Sequence, residues 1–158
     1  MTELAELAAR VAARLVARKE TIAVAETSAG GLIAAALLAV PGASAYFRGG
    51  VVPYSARARA FLSITRDDME GMRSSSEPYA QLLADRSREI LRADWGLSET
   101  GAAGPTGNRY GDAAGHTCLA VSGPVRLVRT IETGVAGRAA NMRRFAVEAL
   151  RLLEEALA

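Results

Sequence analysis

The segment that most constrains this chain is a short apolar run that passes directly into a glycine-containing turn. Residues 22–25 read Ile-Ala-Val-Ala, and Glu26-Thr27-Ser28-Ala29-Gly30-Gly31 follows. A run without polar alternation is typical of a strand that is buried on both faces of a parallel α/β sheet. Residues 32–40 then predict a helix that stops at Pro41-Gly42. A strand, a tight turn and a helix are therefore expected, with any chemistry at the turn.

The remaining segments alternate between helical and extended patterns. Apolar residues at helical spacing predict amphipathic helices over residues 3–18, from the N-cap Ser76 to about Arg92, and from Met142 to the end. The second of these has a thin apolar stripe made of Tyr79, Leu82, Leu83 and Ile90. Residues 45–54, which include Gly49-Gly50, predict an extended or bulged segment, and residues 55–63 predict a short helix. Extended structure is also predicted for residues 95–100 and for a hairpin of residues 117–121 and 125–131.

This order of elements predicts the fold class α/β: a single-domain three-layer α/β/α sandwich with a mixed sheet, covering residues 1–158. A chain of 158 residues, half of them hydrophobic, is long enough to build one substantial core. Because the chain opens one helix before the apolar strand, we expect no additional amino-terminal domain.

Composition argues against several classes of protein. The single cysteine, Cys118, excludes an internal disulfide and provides no cluster for a metal site, so we expect neither metal nor cofactor. Eighteen of the 19 basic residues are arginines, yet the net charge is only +2 and acids are interspersed with them, which favours a solvated surface over nucleic-acid binding. No signal peptide or membrane-spanning run is present. We therefore expect a cytoplasmic protein without a membrane partner.

Two glycine-bearing turns are the candidate sites for chemistry. In the first, Thr27 and Ser28 precede Gly30 and Gly31 at a predicted helix N-terminus, where free backbone amides can hold a phosphate or stabilise an oxyanion. The alternative is that a hydroxyl only caps the helix and that the glycines only permit close packing. The second turn begins at Thr100-Gly101 and opens a loop that runs to residue 115. In a parallel sheet both turns lie at the carboxyl ends of strands, where ligands bind.

Other candidate groups have simpler structural interpretations. Neither turn has the glycine spacing of dinucleotide-binding proteins or the lysine of a phosphate-binding loop, so hydride transfer and ATP hydrolysis lack a motif. His116 has the intrinsic pKa of a general base, but a lone histidine entering an apolar strand is more often structural. Glu26 and Glu99 each end a predicted strand and are expected to accept hydrogen bonds from backbone amides.

Five separated motifs give the chain a specific resemblance to the CinA C-terminal domain family, the nicotinamide-nucleotide amidohydrolases. The resemblance extends over nearly the whole chain, and the motifs occur in the same order and at the same spacing as in that family. They are residues 25–31 (Ala-Glu-Thr-Ser-Ala-Gly-Gly), residues 40–44 with Phe47 and Gly49, residues 51–55 (Val-Val-Pro-Tyr-Ser), Ser76-Glu77, and residues 100–105 (Thr-Gly-Ala-Ala-Gly-Pro).

The resemblance implies an α/β sandwich that hydrolyses the carboxamide of nicotinamide mononucleotide to nicotinic acid mononucleotide and ammonia. The family site combines an Ala-Glu-Ser-Cys-Thr-Gly-Gly turn, whose serine is the nucleophile, with the tyrosine and lysine of Tyr-Ser-Asn-Glu-Ala-Lys. At the corresponding positions this chain has Thr27 in place of the serine, Ser28 in place of the cysteine and Arg59 in place of the lysine, whereas the tyrosine is kept as Tyr54. Arginine stays protonated and cannot take the proton of a hydroxyl, so the last change bears directly on catalysis.

The resemblance thus predicts catalytic roles for Thr27 or Ser28, Tyr54 and Arg59, with Gly30 and Gly31 amides holding the oxyanion and Arg59 binding phosphate or developing charge. Two alternatives remain: a nucleotide-binding homologue with altered or lost activity, and a structural or interaction module linked to competence. A small-molecule nucleotide is the expected ligand and a homo-oligomer the expected assembly. The predicted substrate-binding residues are Gly30, Gly31, Ser44, Ser55, Thr100, Gly101, Gly104 and Arg143. Gly137-Arg138, together with Asn141 and Arg143, resembles the family's glycine-arginine entry into its last helix, and the resemblance makes both arginines candidates for binding phosphate.

Overall fold

Four α-helices and five strands alternate along the chain in the computed structural model, which describes all 158 residues. Short 3-10 helices at Ala43–Ala45 and Arg57–Leu62 flank the second strand. The helices are α1 (Glu3–Arg18), α2 (Leu32–Leu38), α3 (Glu77–Leu91) and α4 (Arg138–Ala156). The strands are β1 (Ile22–Glu26), β2 (Phe47–Val51), β3 (Trp95–Ala102), β4 (His116–Ser122) and β5 (Leu127–Glu132).

The strands form one mixed sheet in the order β2-β1-β3-β4-β5. Strand β1 pairs in parallel with both β2 and β3, whereas β3-β4 and β4-β5 are antiparallel. The predicted hairpin is therefore confirmed as β4 and β5. Of the two predictions for residues 45–54, the bulged segment is the one found. Ile22 lies opposite Phe47 and Ala23 lies opposite Gly49, so the extra residue of β2 is Arg48 and not a glycine.

Helices cover both faces of this sheet, which confirms the predicted three layers. Helices α1, α2 and α4 share one hydrophobic cluster with one face of the sheet, and this cluster contains Trp95 and Phe145, both fully buried. Helix α3 covers the other face, where Tyr79 and Leu83 pack with Leu62 of the second 3-10 helix. All five residues of β1 are buried, as its unbroken apolar pattern predicted. None of the helices has both the length and the apolarity that crossing a bilayer requires.

Several details differ from the sequence-based expectations. Helix α4 begins at Arg138 instead of Met142, and β2 is limited to Phe47–Val51. Helix α2 ends at Leu38 instead of residue 40. Strand β3 continues to Ala102, because pairing with β4 extends the ladder through Gly101 and Ala102. Ile90, predicted on the buried stripe of α3, is 46% exposed, since it lies in the last turn of α3 beside the edge strand β2, where no further layer covers it.

Candidate functional site

The turn between β1 and α2 is anchored by a buried carboxylate from the neighbouring strand. Glu99 of β3 is fully buried and accepts hydrogen bonds from the backbone N–H groups of Thr27 (3.2 Å) and Ala29 (2.8 Å). Its other oxygen accepts the hydroxyls of Ser28 and Thr117. Burial raises the pKa of Glu99 to about 7, although the hydrogen bonds from Ser28, Ala29 and Thr117 favour the charged form. Glu99 therefore fixes the conformation of the turn.

A second buried carboxylate caps the helix that follows. Glu26 accepts hydrogen bonds from the N–H groups of Gly31 (2.9 Å), Ile33 (3.1 Å) and Ala34 (2.9 Å), three of the free amides at the start of α2. Burial raises the pKa of Glu26, and the three backbone hydrogen bonds oppose this rise. The expectation that both strand-end carboxylates accept backbone amides is thus confirmed.

This arrangement corrects the predicted oxyanion site. The Gly30 N–H donates to the carbonyl of Thr27 at 3.1 Å and the Gly31 N–H donates to Glu26, so neither amide is available for a ligand. The glycines are needed for conformation instead, because both have positive φ, +69° and +99°. Among the amides of residues 27–31, only the Ser28 N–H has no hydrogen-bond acceptor in the protein.

The two hydroxyls of the turn differ in their environment. Ser28 is 5% exposed and its hydroxyl donates to Glu99. Thr27 is 7% exposed, and its hydroxyl has no partner in the protein. Since no buried side-chain oxygen or nitrogen lacks a partner, the Thr27 hydroxyl is in contact with solvent. The structure therefore presents Thr27, and not Ser28, to an incoming molecule.

Thr27 opens into a polar cavity of about 220 Å³ at the carboxyl ends of β1 and β3. The two predicted turns meet here, as expected for parallel strands. Hydroxyl groups dominate the wall, and its ionisable side chains are two tyrosines. The lining residues are Thr27, Pro53, Tyr54, Ser74, Ser75, Tyr79, Thr100 and Gly101.

Arg59 lies behind one wall of this cavity and does not line it. Its Nε donates to the hydroxyl of Tyr79 at 3.1 Å, one terminal nitrogen donates to Ser74 at 2.7 Å, and the guanidinium carbon lies 5.1 Å from the centre of the Tyr79 ring. Arg59 itself lines an adjoining cleft of about 290 Å³. Arg59 thus holds two residues of the wall, Tyr79 and Ser74, in place. It does not contact the cavity directly, which differs from the expectation that it meets developing charge there.

A second arginine contacts the cavity lining through Tyr54. Arg138, at the start of α4, donates to the carbonyl of Gly104 at 2.6 Å and to the hydroxyl of Tyr54 at 3.3 Å. Asn141 holds the same loop by donating to the carbonyls of Ala103 (2.8 Å) and Val135 (2.9 Å). Gly104 is thus brought to the site through Arg138. Neither Arg138 nor Arg59 forms a salt bridge with a carboxylate.

Three predicted ligand residues lie apart from the cavity. Ser44 belongs to the 3-10 helix before β2, at the amino end of the parallel strands and so at the opposite edge from Thr27. Ser55 is exposed and its hydroxyl accepts the N–H of Ala58 at 3.2 Å. Arg143 is exposed on α4 and, unlike Arg138, makes no contact with the cavity residues, because it lies more than one turn further along the helix.

Sequence reasoning missed the contribution of the segment before α3. Ser74 and Ser75 line the cavity, and Tyr79, predicted only as part of an apolar stripe, presents its hydroxyl at the wall. The run of serines at 74–76 before a helix was the available signal, but it indicated only the N-cap, which Ser76 indeed provides. A larger cleft of about 400 Å³ lies between β5 and α4, and none of the predicted site residues line it.

Comparison with known proteins agrees with the fold and the motifs. The model of the CinA C-terminal domain matches residues 4–157. A CinA-like protein of Anaeromyxobacter sp. (strain Fw109-5) is 42% identical over 154 residues, which are 96% of this chain and 37% of that protein. A CinA-like protein of Gloeobacter violaceus is 41% identical over 119 residues, 75% of this chain and 28% of that protein. The chain therefore spans between about a quarter and little more than a third of the length of these relatives.

Solved structures show the same architecture. A CinA superfamily protein from Klebsiella pneumoniae superposes with a TM-score of 0.91 at 28% identity, covering 98% of this chain and 97% of its own. A competence/damage inducible protein from Agrobacterium tumefaciens gives a TM-score of 0.91 at 28% identity, covering 99% of this chain and 96% of its own. The motifs, the fold and these matches agree, and the chain belongs to the CinA C-terminal domain family.

Proposed function

We propose that the cavity binds a pyridine nucleotide and that the hydroxyl of Thr27 attacks its carboxamide, as in a nicotinamide-nucleotide amidase. The observation that carries this proposal is the difference between the two hydroxyls of the turn. Thr27 opens onto the cavity, whereas Ser28 is turned inward to Glu99. A nucleophile must reach the carboxamide carbon, and only Thr27 is placed to do so.

The chemistry follows from the groups that surround Thr27. Attack of its oxygen on the carboxamide carbon makes a tetrahedral intermediate, and the free N–H of Ser28 is the donor available for the oxyanion. Collapse breaks the C–N bond and releases ammonia, which takes up the proton lost by the threonine hydroxyl. One water then hydrolyses the acyl-threonine ester, which restores the hydroxyl of Thr27 and releases a carboxylic acid. The acid passes its proton to ammonia, so the final products are a carboxylate and an ammonium ion.

Tyr54 is suited to a proton-relay role in these steps. Its oxygen accepts an N–H from Arg138, so its own O–H is left to donate to a ligand in the cavity. Tyr79 is arranged in the same way, because its oxygen accepts the Nε–H of Arg59. Two arginines thus orient two tyrosine hydroxyls at the cavity wall.

Charge around the cavity favours an anionic ligand. Arg138 and Arg59 donate only to neutral oxygens, so neither charge is neutralised by a carboxylate. A guanidinium has five N–H donors, and Arg138 uses only two of its nitrogens in these contacts, so donors remain for the phosphate of a nucleotide. Arg138 is exposed and contacts Tyr54 of the lining, whereas Arg59 lies behind the wall, so Arg138 is the candidate for a phosphate contact.

A second candidate function is nucleotide binding without hydrolysis. The observation that favours it is the composition of the wall, whose ionisable groups are Tyr54 and Tyr79. Arg59 cannot accept the proton that the family lysine would take. A third possibility, an interaction module linked to competence, has no separate surface feature in its favour. The expected homo-oligomer stays a prediction.

The test is release of ammonia from nicotinamide mononucleotide, with binding followed by calorimetry. Thr27→Ala should abolish turnover and retain binding, whereas Ser28→Ala should retain measurable turnover. Thr21→Ala is the matched control, since it removes a threonine hydroxyl next to the other end of β1, where that hydroxyl contacts Asp94. Binding by the parent protein without turnover would establish the second function. Absence of both binding and turnover would exclude this nucleotide as the ligand.

A further inference from the structure

His116 is the single histidine of the chain and lies at the start of β4, directly behind the cavity wall. It is 5% exposed and takes no part in the proposed reaction. Its ring connects two elements that are far apart in sequence: Glu132 at the end of β5 and Ser75, which lines the cavity.

Both ring nitrogens of His116 face hydrogen-bond acceptors. Nδ1 lies 2.6 Å from a carboxylate oxygen of Glu132, and Nε2 lies 2.8 Å from the carbonyl oxygen of Ser75. A neutral imidazole has one N–H donor only, whereas an imidazolium has two. A carbonyl oxygen and an ionised carboxylate oxygen can only accept, so this geometry is satisfied completely by the protonated ring.

The other charged and titratable groups around the ring are arranged for a cation as well. Asp112, from the loop before β4, has a carboxylate oxygen 3.6 Å from Nε2, and this carboxylate also pairs with Arg73 at 2.7 Å. The thiol of Cys118 lies 3.7 Å from Nε2, and Glu77 at the start of α3 reaches the same region through Thr130. Two carboxylates within 4 Å and one arginine beyond them leave a net negative environment.

The Ser75 carbonyl matters because Ser75 has an uncommon backbone conformation. Its φ is +55°, in the left-handed region that non-glycine residues seldom adopt without support from their surroundings. The support comes from both sides of the residue: its N–H donates to the hydroxyl of Thr100 at 3.2 Å, and its carbonyl accepts from His116. Thr100 lines the cavity too, so the same contacts set the shape of the wall.

We propose that His116, held as an imidazolium between Glu132 and Ser75, is a positioning residue that fixes the Ser75 wall of the cavity, and that loss of its proton loosens this wall. Burial lowers the pKa of His116, but the hydrogen bonds to Glu132 and Ser75 and the nearby Asp112 outweigh it, so the pKa lies above its ordinary value. We call the protonated ring of His116 with its two hydrogen bonds, to Glu132 and to Ser75, the clamp. Because the pKa of His116 is raised, the clamp is complete below about pH 6.5 and is lost as the pH rises through the folded-state pKa.

The clamp itself can be tested without a ligand, and independently of the proposed function. Because the chain has one histidine, its ring resonances identify themselves in an NMR titration of the intact protein. We expect both ring nitrogens to be protonated at pH 6.5, and the protection factor of the Ser75 amide against hydrogen exchange to fall about tenfold across the histidine titration. A ring pKa at or below the ordinary value, or Ser75 protection independent of that titration, would overturn the proposal.

Variants separate positioning from simple structural support. Glu132→Gln keeps a hydrogen-bond acceptor and removes the charge, so it should lower the ring pKa and move the Ser75 transition to the same lower pH. Glu89→Gln is the matched control, since Glu89 is exposed on α3 and has no side-chain hydrogen bond. An unchanged Ser75 transition in Glu132→Gln would refute the link between Glu132, His116 and Ser75.

A binding experiment, which rests on the proposed function, tests whether the clamp affects the affinity of the cavity for a ligand. Affinity for nicotinamide mononucleotide should fall across the histidine titration, and Glu132→Gln should shift that pH profile downward while Glu89→Gln leaves it in place. A parent protein that binds with an affinity independent of this titration would show that the wall does not position the ligand. If the nucleotide does not bind at any pH, the proposed function fails. The ligand-free titration still shows whether His116 fixes the conformation of Ser75.

Discussion

The side chain of Ser28 donates a hydrogen bond to Glu99, a carboxylate that belongs to the neighbouring strand and is fully buried. Glu99 also accepts the backbone N–H groups of Thr27 and Ala29, on either side of Ser28. The turn is thereby closed around one side chain from β3, and of its two hydroxyls only that of Thr27 is left facing the cavity. The identity of the candidate nucleophile thus depends on a residue 72 positions away.

Glu99 should make the stability of the protein depend on pH. Burial raises its pKa from 4.5 to about 7, so the folded state holds a proton that the unfolded state releases between these values. Stability should therefore fall as the pH rises from about 4.5 to 7, by on the order of 3 kcal/mol over the full range. Glu99→Gln should flatten this dependence.

Urea unfolding at pH 5, 6, 7 and 8 measures the effect, with Glu89→Gln as the control because Glu89 is exposed. Below pH 6.5 the His116 contacts are complete, but burial also raises the pKa of Glu26, which contributes a fall of the same sign. The difference between the parent and Glu99→Gln therefore isolates the contribution of Glu99. An equally steep fall in the Glu99→Gln protein would contradict the assignment.

Arg138 should contribute to affinity through the phosphate of a nucleotide. Arg138→Met keeps an unbranched apolar stem and removes the guanidinium with its charge, so we expect binding of nicotinamide mononucleotide to weaken about 10- to 100-fold, as for hydrogen bonds to charged groups. Binding of the nucleoside without phosphate should hardly change. Calorimetry with both ligands measures the difference. Arg48→Met is the control, because Arg48 is exposed on the edge strand β2; equal losses for both ligands would argue against a phosphate contact.

Arg59→Lys should destabilise the fold by about 1–2 kcal/mol, because lysine cannot bond Tyr79 and Ser74 together while stacking on the ring. The control is Arg57→Lys in the same 3-10 helix, where the side chain is exposed and a change within about 0.5 kcal/mol is expected. Urea midpoints for the two variants give the comparison. Similar midpoints would mean that Arg59 does not order the cavity wall.

Gly101→Ala should destabilise the end of β3 by about 1–3 kcal/mol. A Cβ at this position would lie 2.3 Å from the carbonyl oxygen of His116, and backbone there cannot move without breaking the β3-β4 ladder. Gly137→Ala is the matched control, since its Cβ would meet only Ala140, at 3.8 Å. Thermal unfolding distinguishes them, and a tolerated Gly101→Ala would show that the ladder ends before this residue in solution.

The fold was predictable because its signals are local. The apolar run at 22–25 gave a strand buried on both faces, and the hydrophobic periodicity of residues 3–18 gave α1 with the bounds found in the structure. Part of the site was predictable for the same reason: the turns at Thr27 and at Thr100 follow parallel strands and therefore meet at one edge of the sheet.

The rest of the site depends on contacts between distant segments. No local pattern in the sequence indicates that Tyr79 and Ser75 line the cavity. None indicates that Ser44 lies at the opposite edge of the sheet. Arg59 was predicted to meet a ligand, but Tyr79 and Ser74 already engage its guanidinium. Side-chain orientation is set by packing against partners far along the chain, and no sequence window contains those partners.

The sequence by itself determined the family, the α/β architecture and the turn that bears Thr27 and Ser28, since apolar patterning and turn chemistry act over a few residues. Only the tertiary structure decided which hydroxyl faces the cavity and which amides stay free. Those outcomes follow from Glu99 and Glu26, whose buried carboxylates must be satisfied by the nearest donors once the sheet is formed.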